Sequence, residues 1–139
     1  MGAEAPRPLE PAAERAGREA LARLRRFGGD RLVRDLWTIF AEDAPGRLAA
    51  ARAGAATGDA AAVRLATHSL RSSCAQLGAA EAAALSDAAE QAALRGDLAP
   101  VPAMVDGIER ALARYARWLE GEIGPPPAER ERAIPLERE

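Results

Sequence analysis

The chain has 139 residues, a formal net charge of −2 and 48 % apolar residues, of which few are aromatic. That is one domain's length with a single modest core, and it lacks the basic field that draws a protein to nucleic acid. With aromatic residues at 4 %, alanine and leucine must do most of the packing, which favours close-packed helices over a sheet. The single cysteine, Cys74, excludes an internal disulfide and suits a reducing cytosol. No stretch approaches the about 18 apolar residues of a membrane span, and no apolar signal-peptide core is visible near Met1.

Residues 1–11, with Pro6, Pro8 and Pro11, read as a disordered N-terminal arm. A first amphipathic helix is expected over residues 12–27, with Ala20, Leu21 and Leu24 as its apolar face, ended by Gly28-Gly29. Asp30 is a suitable N-cap for a second helix whose stripe is Val33, Leu36, Trp37, Phe40 and Ala44. Pro45 falls inside that pattern. Because Leu48 stays in phase, a kinked continuation to about Ala56 is expected, the rival being two short helices. Thr57-Gly58-Asp59 makes a turn, and Asp59 caps the next helix.

That helix carries the only histidine. At about 100° per residue, Val63, Ala66, Leu70, Cys74 and Leu77 fall on one buried stripe, and His68 lies on the far side. Arg71 and Ser72 are its neighbours three and four residues on. Cys74, on the buried stripe, reads as a small apolar filler and not a reactive thiol. One His and one Cys on opposing faces cannot converge on a metal. Ala61, Arg64, Leu65 and Ala75 surround His68 on the wheel. Leu65 is either a partner contact or packs on a neighbouring helix, with packing favoured.

Gly78 closes the histidine helix. An alanine-rich helix over residues 80–94 should turn Leu85, Ala88, Ala89 and Ala92 inward. After Gly96-Asp97 and the loop at Pro100 and Pro102, a last helix runs over residues 101–123 through Val105, Ile108, Leu112, Tyr115 and Leu119. Pro125-Pro126-Pro127 stops it. Residues 125–139 read as a disordered Pro/Glu/Arg-rich tail, either a linker or a docking peptide. The expected fold is all-α: an antiparallel up-and-down four-helix bundle over residues 12–124, with the first helix as a cap across one end.

Chemically, the chain has no Gly-rich nucleotide loop, no lysine and no carboxylate cluster placed for magnesium, so it carries no ATP site of its own. Phosphoryl transfer asks mainly for a nucleophile, positioning and charge stabilisation. A relay whose partner supplies the metal therefore remains open, and whether to class such a carrier as an enzyme stays undecided.

The stretch Thr67-His68-Ser69-Leu70-Arg71-Ser72-Ser73-Cys74-Ala75-Gln76-Leu77-Gly78-Ala79 resembles the signature of the histidine phosphotransfer (HPt) domain family of two-component phosphorelays. His68, Leu70, Ser73, Cys74, Leu77, Gly78 and Ala79 fall on the pattern. Arg71 stands for the usual lysine and Ser72 for the usual glycine. Leu85, Ser86 and Glu90 fit the following helix, Gly96-Asp97-Leu98 its ending, and residues 40–48 with Gly58-Asp59 the run into the histidine helix. The likeness covers about residues 18–122.

The resemblance implies that His68, through Nε2, accepts a phosphoryl group from the aspartate of one receiver domain and returns it to another. Arg71 would screen the phosphoryl charge, its alternative role being a solvated surface arginine. Ser72 would sit on the docking face beside the histidine. The implied partners are response-regulator receivers or a hybrid histidine kinase. Mg²⁺ would be held by the receiver, with no cofactor or metal on this chain. A cytoplasmic monomer that binds neither nucleic acid nor membrane is expected. The alternative is an HPt-like adaptor that binds a receiver or kinase without accepting phosphate, which the departures at Arg71 and Ser72 keep open.

Overall fold

A computed structural model describes residues 8–124, and every regular element in that span is an α-helix. The expected disorder of the 125–139 tail and of most of the 1–11 arm lies outside the described residues. Four helices follow in chain order: α1 (Pro11–Thr57), α2 (Ala60–Leu77), α3 (Ala80–Leu94) and α4 (Val101–Ile123). Each packs on its sequence neighbours, α4 closes back on α1, and α1 barely meets α3. That is the ring of an up-and-down bundle.

Helix α1 is two helices joined at a corner. Gly29 adopts φ 66° and ψ −164°, a conformation open to glycine and closed to most L side chains. The break thus falls where Gly28-Gly29 predicts it. Asp30 does not cap the second segment as expected; its carboxylate is paired with Arg25 across the corner. Pro45 stays inside the helix. Ala41 and Pro45 are both exposed, so the carbonyl that loses its N–H partner can be met by water. The helical continuation through Pro45 holds, and it runs to Thr57 before Gly58 reverses the chain.

Residues 11–28 lie across the end of the bundle where α2 turns into α3. There Gly78 presses so closely on the N-terminal segment that an added Cβ would sit 2.5 Å from the Cβ of Ala20. Trp118 and Tyr115 of α4 cover the same segment. Arg25 and Arg34 donate to the last carbonyls of α4, those of Glu122 and Ile123, at 3.3 and 2.7 Å. Cationic side chains suit a helix C-terminus. The capping helix is therefore part of the packed domain, with Leu21 and Leu24 in its core.

The stripe predicted for α2 is buried throughout, together with Thr67. Asp59 caps α2 by accepting from the Ala62 N–H at 3.0 Å. Helix α3 meets expectation in part, since Ala89 and Ala92 are buried and Leu85 packs half-buried against the core. Its buried face is Ala82, Ser86, Ala89, Glu90, Ala92 and Ala93, while Leu85 and Ala88 are half-buried. The helix is rotated so that two polar side chains turn inward. Ser86 is satisfied by the Ala82 carbonyl, and Glu90 by partners on α2.

Candidate functional site

The site grows from the seam between α2 and α3. The apolar stripe of α2 fixes its rotation, and that rotation lifts His68 to the rim, where its side chain is 53 % exposed. Across the seam Glu90 is nearly enclosed, its side chain 9 % exposed. Its Oε2 lies 2.8 Å from Nδ1 of His68, and its Oε1 accepts from Nε of Arg71 at 2.8 Å. Asp87, one turn back on α3, lies 3.7 Å from the same Arg71 nitrogen.

These contacts decide the tautomer. Burial pushes the Glu90 carboxyl up, but hydrogen bonds from His68 and Arg71 outweigh that and hold it below the ordinary carboxylate range. Glu90 is therefore ionised near neutral pH and can only accept. The hydrogen between it and the imidazole must sit on Nδ1. Arg71 Nη2, 3.1 Å from the same Nδ1, is then a donor facing a donor, and both are held by the carboxylate beside them. In the neutral ring Nε2 keeps its lone pair, at the end of the imidazole away from Glu90.

The sequence places His68 and Arg71 together, and so does the structure. Ser72 is exposed on the same helix face. In the sequence Glu90 stands out only through its fit to the family pattern. One signal could have found it: it shares a helical face with Ala82, Ser86, Ala89 and Ala93, and a carboxylate on a buried face needs a partner from another helix. Leu65 does not pack on a neighbouring helix as expected. It is 70 % exposed at the edge of a shallow groove formed with Asp43, Gly46, Arg47 and Ala50 of α1. Ile39, 64 % exposed, lines the continuation of that groove toward Ser73 and Gln76.

Cys74 is enclosed beneath the site, and burial raises its thiol to about 12. Among the described residues, no group of three or more His, Cys, Asp or Glu side chains is placed to hold a metal.

Residues 35–118 match the Hpt domain, more than half of the chain. The chain belongs to the Hpt domain family. Membership carries histidine phosphotransfer in two-component phosphorelays, with receiver domains and kinases as the family's partners. The matched span holds the His68–Arg71–Glu90 cluster and excludes residues 11–28. No curated protein and no solved structure matches the chain. Among the described residues, no helix is long and apolar enough to cross a membrane.

Proposed function

We propose that His68 is the phosphoacceptor and relays a phosphoryl group between aspartates of receiver domains. The observation that carries this reading is the Glu90 carboxylate on Nδ1, which leaves Nε2 unprotonated and outward. In transfer, the Nε2 lone pair forms the N–P bond as the P–O bond to the donor aspartate breaks, and the electron pair leaves on that aspartate. The Nδ1 proton stays between the ring and Glu90, whose negative charge offsets the positive charge the ring gains. The reverse step regenerates the neutral imidazole.

The receiver brings its own Mg²⁺, and the Hpt chain works as a cytoplasmic monomer. The receiver docks over His68 and onto the α1–α2 groove, where Ile39 and Leu65 supply exposed apolar surface of the modest size suited to a transient encounter. Ser72 lies on that face. Its hydroxyl takes the place of the family's glycine without displacing the nucleophile.

The test is transfer from phosphorylated receivers to wild type and to His68→Gln. Acid-labile, base-stable label on wild type alone supports the relay. If receivers that bind leave neither protein labelled, the relay fails and a binding-only adaptor stands.

A further inference from the structure

We propose that Arg64, not Arg71, is the cation that meets the phosphoryl group on His68; this rests on the relay reading above. In the family pattern the cation three residues after the histidine is the natural candidate, but here Arg71 is turned the other way. Its Nε is bound to Glu90, Asp87 lies beyond, and its Nη2 stands beside Nδ1. Two carboxylates flank it, and it serves the end of the ring opposite to the attacking nitrogen. To reach a group on Nε2, Arg71 would have to leave Glu90, stripping a nearly enclosed carboxylate of one of its two charged partners.

Arg64 has no such obligation. It precedes His68 by one helical turn, where side chains at i and i+4 are neighbours. Helical side chains lean toward the N-terminus, which carries the His68 ring toward the turn that contains Arg64. Arg64 is exposed, and among the described residues it makes no ion pair. Arg47, which lines the neighbouring α1–α2 groove, is engaged with Asp43. A phosphoryl group built on Nε2 presents oxygens outward, and a guanidinium is well suited to hold two of them. Arg71 is then a positioning residue that fixes Glu90, while Arg64 touches the transferred group.

The experiment compares full-length wild type, Arg64→Ala and Arg64→Lys in two assays. The first is transfer from a phosphorylated receiver, with kcat and KM separated. The second is direct phosphorylation of His68 by phosphoramidate, which needs no receiver. Arg64→Ala is expected to lower kcat, and the phosphoramidate rate, about fivefold, with Arg64→Lys retaining most of both. On phosphorylation the side-chain N–H signal of Arg64 should shift in NMR spectra while that of Arg71 stays in place. An Arg64→Ala rate within twofold of wild type in both assays overturns the proposal, as does a change in KM alone, which would make Arg64 a docking residue. If receivers give no label yet phosphoramidate labels His68 with the expected Arg64 dependence, the relay reading fails and the Arg64 contact stands.

Discussion

His68 on α2 and Glu90 on α3 lie 22 residues apart and share a 2.8 Å contact between Nδ1 and Oε2. The same carboxylate holds Arg71 with its other oxygen. One enclosed acid thus sets the histidine's tautomer and the arginine's direction. A carboxylate orienting an imidazole through Nδ1 is a general means of presenting Nε2 for chemistry.

Replacing Glu90 should therefore damage transfer more than folding. Glu90→Gln keeps the shape but removes the charge that favours hydrogen on Nδ1 and steadies the ring after attack. Transfer to His68 is expected to slow by about tenfold, consistent with the loss of a charge-assisted hydrogen bond. The cost in stability should be about 1 kcal/mol, because His68 and Arg71 remain partly solvated. Stopped-flow transfer kinetics and urea melts measure the two, and ¹⁵N shifts of His68 should show more of the Nε2–H tautomer.

Stability should decline at both ends of the pH scale, from different groups. The Glu90 carboxyl is held below its ordinary value in the fold, so its contribution is present above the unfolded value near 4.5 and is lost as pH falls below it. The Cys74 thiol moves the other way, from 9.0 to about 12 through burial. The fold prefers it protonated, so its contribution is complete below pH 9 and drains away as pH rises from 9 toward 12. Tyr115, raised by burial, adds in the same alkaline direction. Thermal melts at pH 7 and 10.5 should show the alkaline loss. A disulfide reagent at pH 8 should label Cys74 only as fast as the protein opens.

The N-terminal segment should be thermodynamically part of the domain. Gly78 has φ 81°, and a Cβ there would collide with Ala20. Gly78→Ala is expected to cost about 2 kcal/mol or more, since both the backbone and the contact oppose it. Denaturant titration with Trp118 fluorescence reads this directly, because Trp118 packs on the displaced segment.

Leu65 offers the opposite contrast. As an exposed side chain, it should tolerate Leu65→Asp with Tm unchanged to within about a degree. Receiver affinity should fall about tenfold if the α1–α2 groove is the docking face. Calorimetric titration with a receiver that phosphorylates wild type checks it.

The helices were legible because their punctuation is strong. Gly28-Gly29, Gly58-Asp59, Gly78 and Pro100 stand where the chain turns, and the Val63–Leu77 stripe fixes α2 and hence which way His68 faces. Pro45 was legible through the phase of Leu48. The inward face of α3 was legible only in part, at Ala89 and Ala92, because a helix made largely of alanine has almost no hydrophobic asymmetry. Contacts with α2 and α4 chose the rotation, and they chose the one that brings Glu90 to His68. The exposure of Leu65 is hidden from the sequence for a related reason. A wheel shows that a leucine lies on the outer side of its helix but not how far the next helix reaches, and Gly46 and Ala50 on α1 are too small to cover it.

Nε2 of His68 is the proposed acceptor, and the most direct measurement is a paired ³¹P and ¹⁵N NMR spectrum of the phosphorylated, ¹⁵N-histidine-labelled protein. With one histidine in the chain, the assignment is unambiguous. The result predicted is a single N–P coupling to Nε2, with Nδ1 carrying its hydrogen and no such signal in His68→Gln. Coupling to Nδ1 would contradict the account, because that nitrogen is the one Glu90 holds.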